Sequence, residues 1–244
     1  MKKKLITKYK ISAAIIMGAF LAAVMFFSSC GKKTQIQVFT YEENADGTLS
    51  ITGLTQKGST DSRLDIPSEI DGRKVCGISR EAFRDNTCVT EIIISDGITR
   101  IAENAFLNCT NLSKISFPDG LLEIGTNVVK NTEWEKEQLL EHSEIIVGNI
   151  LVEAGDIGSS YKVPDGVKHI ASGAFYCNEA VKEVTFPDGL ESIGSYAFAG
   201  CKNITDLTVP DSVLKVGYDA FLDIGHVSYQ GKAGGSPWGA GAVN

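Results

Sequence analysis

Along most of the chain, apolar positions fall in columns 23 residues apart. Phe83, Phe106, Phe175, Phe198 and Phe221 each follow an alanine, at spacings of 23, 69, 23 and 23, and 69 is three periods. Val128 and Val129 partly fill the gap, 23 residues after Ala105 and Phe106. A second column runs Ile78, Ile101, Ile124, Ile170, Ile193 and Val216, and a third runs Val89, Leu112, Val181 and Ile204. A fourth holds Pro118, Pro164, Pro187 and Pro210, with Ser95 at the same phase. Several columns sharing one period are the mark of a repeat architecture.

Inside a unit the pattern alternates. Ile115 and Phe117, or Val184 and Phe186, predict a short strand with one buried face. Pro-Asp-Gly then ends it, because proline cannot donate to a ladder and Asp-Gly favours a turn. A second extended piece, at 121–124 or 190–193, precedes a glycine turn. The Ala-Phe pair predicts a single helical or 3₁₀ turn that drives Phe inward. One unit has too few apolar groups to hide them alone, whereas units stacked at a strand spacing of ~4.8 Å share a continuous core.

Departures from the period predict the rest. The first unit carries five extra residues between Pro67 and Phe83, around Asp71-Gly72-Arg73-Lys74, which read as a hairpin. Val38–Tyr41 and Leu49–Thr52 flank Ala45-Asp46-Gly47, a second hairpin placed to cap the first sheet edge. Val227-Ser228-Tyr229 and the glycine-rich tail through Trp238 would close the other end. Residues 131–160 break the pattern. They predict a helix at 131–141, through Trp134, Leu139 and Leu140, and a hairpin at 144–153 turning at Gly148-Asn149. The segment keeps phase, as a degenerate repeat replaced by helix and hairpin would.

This unit resembles the BspA-like leucine-rich-repeat family of bacterial surface proteins. The resemblance rests on Ile66-Pro67-Ser68-Glu69-Ile70-Asp71-Gly72, Phe117-Pro118-Asp119-Gly120, Val163-Pro164-Asp165-Gly166, Phe186-Pro187-Asp188-Gly189 and Val209-Pro210-Asp211-Ser212, with the Ala-Phe pairs downstream. It covers residues 38–240. It implies a leucine-rich-repeat solenoid, β-rich and of the α/β class, with about six repeats of 23 residues. It also implies adhesion to host or microbial surface proteins.

The first thirty residues read differently. Lys2, Lys3, Lys4, Lys8 and Lys10 form a basic head, and residues 11–27 then run without a charge. That is the layout of an export signal. The run sits at the lower limit for a membrane span, so an uncleaved anchor competes with it. Phe27-Ser28-Ser29-Cys30 resembles the lipobox of bacterial lipoproteins, with Phe27 where leucine is usual, and implies lipidation of Cys30. The expected layout is a signal peptide at 1–29, a lipidated tether at 30–36, an N-terminal β cap at 37–63 and a repeat domain at 64–244. The product would be exported, anchored to the bacterial cell membrane and facing outward.

Composition sharpens this picture. The chain has 244 residues, 43% of them apolar, which excludes a disordered chain. Its formal charge of -7 is lowered by cleavage, which removes five of the 23 basic side chains and no acid. Eighteen bases against 30 acids leave -12, which argues against nucleic acid as a partner. His142, His169 and His226 stand at no metal-binding spacing, and no nucleophile elbow, phosphate loop or dinucleotide fingerprint is present. No cofactor, metal site, catalytic residue or small-molecule substrate is therefore expected. Glu133 and Glu135 lie two apart on the expected helix and face different ways.

Beyond Cys30 stand Cys76, Cys88, Cys109, Cys177 and Cys201. Cys109 and Cys201 share a phase four periods apart, too far for a bridge, so thiols packed inside each turn are expected. A Cys76–Cys88 pair stays open. Asn108, Asn111 and Asn203 match glycosylation sequons but fall at turn positions, and read as turn-capping residues.

What remains is the outward strand face. Two residues before the proline phase stand Asp65, Ile93, Ser116, Lys162, Thr185 and Thr208. Four before it stand Glu91, Lys114, Glu183 and Asp206. This stripe is the candidate binding face, weighed against a merely solvated surface, with Trp134 as a second candidate. The leading expectation is a non-catalytic, lipid-anchored surface protein binding a surface or host protein. A glycan-binding or cell-envelope structural module is the alternative, although the strand stripe has no aromatic residue. An enzyme with its site in 131–160 is the third, and lacks a nucleophile–base constellation.

Overall fold

A computed structural model of the chain describes residues 38–244. The expected signal peptide and tether, with Cys30, lie outside the described residues. The described part is a β-solenoid. It opens on an antiparallel hairpin, β1 (Phe39–Glu43) and β2 (Leu49–Leu54), with Gly47 at a φ of 80° in its turn. β3 (Arg63–Ile66) follows, then a small hairpin of β4 (Glu69–Ile70) and β5 (Arg73–Ile78) turning at Asp71 and Gly72. Regular turns supply β6 (Glu91–Ile94), β7 (Arg100–Ile101), β8 (Lys114–Ser116) and β9 (Glu123–Ile124). Helix α1 (Glu133–Glu141) and the hairpin of β10 (Glu144–Val147) and β11 (Ile150–Ala154) interrupt them. The turns resume with β12 (Ser160–Lys162), β13 (His169–Ile170), β14 (Glu183–Thr185), β15 (Ser192–Ile193), β16 (Asp206–Thr208), β17 (Lys215–Val216) and β18 (His226–Ser228).

Parallel pairing follows the period. Ile92 pairs with Ile115, Val184 with Tyr161, and Ile193 with both Ile170 and Val216. The first strands of the turns form three separate sheets, β3-β6-β8, β12-β14 and β16-β18. The second strands form two, β1-β2-β5-β7-β9 and β10-β11-β13-β15-β17. Both layers break at α1 and its hairpin, and the layer of first strands breaks again between β14 and β16. Among the described residues no helix is long and apolar enough to cross a membrane.

The Ala-Phe segment is a tight turn, and its backbone makes a ladder of its own. Phe83 N donates to Ala105 O at 2.8 Å, Phe106 N to Val128 O at 2.9 Å, Phe175 N to Ala197 O at 2.7 Å and Phe198 N to Ala220 O at 2.8 Å. Each buried amide thus finds an acceptor one turn on, as a buried backbone must. The residues two before and two after each Phe take positive φ. Asn104 and Asn108 flank Phe106 at 59° and 60°, and Tyr196 and Gly200 flank Phe198 at 56° and 78°. Asparagine, aspartate and glycine recur there because they tolerate the left-handed region best. The asparagines also reach between turns. Asn108 Nδ2 donates to Asp85 Oδ1 and Asn131 Nδ2 to Asn108 Oδ1, both at 2.8 Å. Asn111 and Asn203 donate to the carbonyls of Thr87 and Glu179.

Where the chain crosses from the second strand to the turn, neighbouring backbones come close. A Cβ on Gly125 would lie 2.4 Å from Glu103 N, and one on Gly217 would lie 2.3 Å from Ser195 N. Only glycine permits that approach.

The aromatic column is buried and stacked. Phe175 and Phe198 lie 4.4 Å apart with their planes 17° apart, and Phe83 and Phe106 lie 5.4 Å apart. Cys109 and Cys201 are buried beneath it, and each thiol donates to the carbonyl of an aromatic residue in an earlier turn, Phe83 or Phe175, at 3.0 Å. Burial pushes both thiols up to about 12, so they stay neutral. The expectation of packed thiols fails at Cys88 and Cys177, which are exposed, and at Cys76, which is half-buried. Cys76 and Cys88 are both free, so they do not pair. Cys177 sits at one of the positive-φ positions, at 56°, where the backbone turns its side chain away from the core.

Residues 131–160 are part of the core rather than an appendage. Ile145, Val147, Ile150 and Val152 are buried, so deleting this segment would open the solenoid rather than leave it intact. Lys130 Nζ lies 2.8 Å from Glu135 and 2.6 Å from Glu153. Burial works against the lysine's charge, but hydrogen bonds to both carboxylates outweigh it and hold Lys130 above its ordinary range. Burial pushes the Glu153 carboxyl up. Leu140, expected on the apolar face of the helix, is 86% exposed. Leu139 takes the inward place, and Leu140, about 100° further round the helix, turns to solvent.

At the far end Trp238 is buried and stands where the next turn's aromatic would be. Phe221 N donates to Trp238 O at 2.9 Å, and the two rings lie 6.1 Å apart. The tail then runs beside β18, with Val227 paired to Val243 in parallel.

Candidate binding groove

The outward strand stripe is divided by the three sheets of first strands. Asp65, Glu91, Ile93, Lys114 and Ser116 lie on β3-β6-β8. Lys162, Glu183 and Thr185 lie on β12-β14, and Asp206 and Thr208 on β16-β18. Alternation explains their orientation, since Ile92, Ile94, Val184 and Leu207 on the same strands point into the core.

Helix α1 changes the first of these faces. By the 23-residue period, its central residues occupy the slot where the strand after β8 would lie. Thr132 caps it by accepting from Glu135 N at 3.0 Å, and Glu135 reaches back to accept from Asn131 N at 2.7 Å. This reciprocal arrangement is a variant of the capping box. Trp134 N donates to Leu112 O at 2.8 Å, and its ring meets Phe117 edge-on at 5.5 Å. The helix is therefore locked to the sheet, and it rises beside it as a wall.

Between wall and sheet lies a groove of about 340 Å³. Its floor is Glu91, Ile93, Lys114 and Ser116, and its wall is Trp134, Glu137 and Gln138. Asp65 lies just outside, with Arg63 3.2 Å from Asp65 and 3.5 Å from Glu91. The groove thus offers an indole, an isoleucine, both signs of charge and an amide, a set suited to a side chain or short segment of another chain. Trp134 both anchors the helix and lines the groove. Glu137 and Gln138 were not singled out from the sequence, although the period places them at the strand slot beside Lys114 and Ile115.

The other two faces are open. Lys162 pairs with Asp165 at 3.4 Å, Ser160 donates to Glu183 at 3.3 Å, and His226 lies 3.2 Å from Asp206. Thr185 and Thr208 are exposed. These residues do not converge with those of the groove.

A smaller cleft of about 90 Å³ lies between β9 and the strands after the hairpin, where Lys215 reaches to 3.9 Å from Glu123. His169 Nδ1 and Ser192 Oγ meet there at 2.9 Å. Burial lowers the pKa of His169, so the imidazole is neutral near pH 7. Among the described residues no carboxylate is hydrogen-bonded to that ring, whose partner is Ser192. Among the described residues no cluster of histidine, cysteine, aspartate or glutamate is arranged to hold a metal ion.

A family model for the BspA type leucine rich repeat region matches residues 76–151 and 157–229, in six copies. Among solved structures, a leucine rich repeat protein of T. pallidum is 24% identical with a TM-score of 0.47, and the match covers 79% of this chain and 89% of that one. One from Bacteroides ovatus is 22% identical with a TM-score of 0.43, covering 83% and 67%. A leucine rich cell surface protein from Faecalibacterium prausnitzii is 14% identical with a TM-score of 0.31, covering 78% and 86%. No curated protein matches the chain.

Proposed function

Because the chain belongs to the BspA type leucine-rich-repeat family, we propose that it is a non-catalytic surface protein that binds another protein through the groove beside α1. The groove carries this reading. It is the larger of the two concavities described above, and it gathers Glu91, Ile93, Lys114 and Ser116 with Trp134, an aromatic residue of the kind that anchors protein interfaces. Concave surfaces of stacked repeats are common partner sites. Display outside the cell follows from the basic head, the apolar run and Cys30, whose acyl chains would hold the protein at the membrane surface.

Two experiments test this reading. Cys30→Ala is expected to move the protein from the membrane fraction to the soluble fraction and to abolish lipid labelling; unchanged fractionation and labelling would refute the anchor. Partners captured by the wild-type chain from host-matrix and envelope fractions are expected to be lost at least about tenfold with Glu137→Lys or Lys114→Glu, and kept with Lys162→Glu. Equal loss in all three variants would exclude the groove as the contact.

A further inference from the structure

The ridge formed by the Ala-Phe turns changes character along the molecule. Before the insertion it is an ion-pair network. Arg80 lies 3.7 Å from Glu81 and 3.6 Å from Glu103, and Arg84 lies 2.9 Å from Glu81. Beyond the insertion, the column of Arg80 and Glu103 holds Ser172, Ser195 and Tyr218, and that of Glu81 and Asn104 holds Gly173, Tyr196 and Asp219. Tyr176 stands in the column of Arg84.

These tyrosines are on the surface. Tyr176 is 61% exposed and Tyr218 is 69% exposed. The rings of Tyr196 and Tyr218 meet at 5.6 Å with 76° between their planes, so the edge of one lies against the face of the other. Tyr196 also has a φ of 56°, a conformation unfavourable for a bulky residue. Asn104, Asn127, Gly173 and Asp219 fill the same column at lower cost. Its ring packs on Tyr218. Tyr218 N donates to Ser195 Oγ at 3.1 Å, which leaves that hydroxyl's proton to be donated. The charge of Asp219, and a hydrogen bond to it, push the Tyr218 phenol up, so it stays protonated.

We propose that Tyr196 and Tyr218 form a stacking platform for a neutral oligosaccharide, with Tyr176 exposed on the same ridge. A pyranose ring has an apolar C–H face and a hydroxyl rim. The platform matches both, with phenol faces for the first and Asp219, Ser195 and the phenol hydroxyls for the second. A protein hot spot instead needs a continuous apolar centre ringed by contacts that exclude water. Here Gly173 and Ser195 stand in the columns of Tyr196 and Tyr218, so neither column is continuously apolar. The rise from turn to turn, ~4.8 Å between strands, is close to the length of one sugar unit, so successive turns can present groups to successive sugars. The site lies away from the groove and does not depend on it.

The test uses the full chain in detergent with four fluorescent probes: maltohexaose, cellohexaose, chitohexaose and mannohexaose. Binding of at least one is expected, and Tyr196→Asn or Tyr218→Ser should weaken it at least tenfold. Each variant restores a residue already present in its column, so folding should survive, and Tyr196→Asn should leave the melting temperature equal or higher. Mucin serves as a second probe, and enzymatic deglycosylation should abolish its retention. Failure of all four hexasaccharides, binding unchanged in the double variant, or equal retention of deglycosylated mucin would overturn the proposal, the last in favour of a protein partner.

Discussion

The turns before α1 and those after β11 share one period and one backbone ladder, yet they spend their side chains differently. The first block has a walled groove on its strand face and an ion-paired ridge. The second has open strand faces, an exposed tyrosine ridge and the longer aromatic column, from Tyr161 through Phe175, Phe198 and Phe221 to Trp238. In the first block that column runs Phe39, Phe83, Phe106 and gives way to Val129, where Lys130 and its two carboxylates begin. The ladder of backbone hydrogen bonds holds the form, so the ridge and strand faces can be exchanged without touching it.

That separation can be broken most forcefully in the column. Phe198→Ala and Phe106→Ala are each expected to cost about 3–5 kcal/mol in denaturant melts, since both rings are buried. A loss below about 1 kcal/mol in either block would show that its column does not carry the fold.

The joint between the blocks comes next. Lys130→Met strips the compensating charge from Glu135, which is 4% exposed. Breaking a buried pair costs about 3–5 kcal/mol, and the half-exposed lysine reduces this to about 2 kcal/mol. The pH dependence has a definite sign. Lys130 is raised in the folded state, so its contribution is complete below the ordinary lysine value of 10.5 and is lost as pH rises through its folded value. The stability gap between wild type and Lys130→Met should therefore close in alkali, and a gap constant from pH 9 upward would contradict the assignment.

The smallest effects separate the two ridges. Asn108→Ala is expected to cost about 1–2 kcal/mol, through a poorer left-handed residue and the lost bonds with Asp85 and Asn131. Cys177→Asn, at the same phase in the second block, should gain about 0.5 kcal/mol. Equal signs for the two changes, read by thermal melts, would mean that backbone strain is not what distinguishes the blocks.

The period, the aromatic column, both terminal closures and the helix with its hairpin were legible in the sequence, because apolar burial recurs there with fixed phase. The outward set from Asp65 to Thr208 was legible too, because strands alternate. What could not be read was grouping. Glu137 and Gln138 belong with Ser116 only because a helix fills a strand slot, and the hydrophobic pattern of α1 does not say on which side of the sheet it stands. The exposed Cys177 escaped for a related reason. Positive φ redirects a side chain without altering the period, and the residues that adopt it are chosen for backbone tolerance rather than for burial.

Trp238 and the strand-like tail bear on whether copies of the chain can join end to end. A bare last turn would offer the next chain an aromatic slot and an unpaired strand at once, the two ingredients of end-to-end fibre growth. Here the slot is filled by the chain's own indole, and the edge of β18 is taken by residues 242–244. At β18 the molecule thus closes its own end, and a second copy finds neither the aromatic slot nor that strand's edge free.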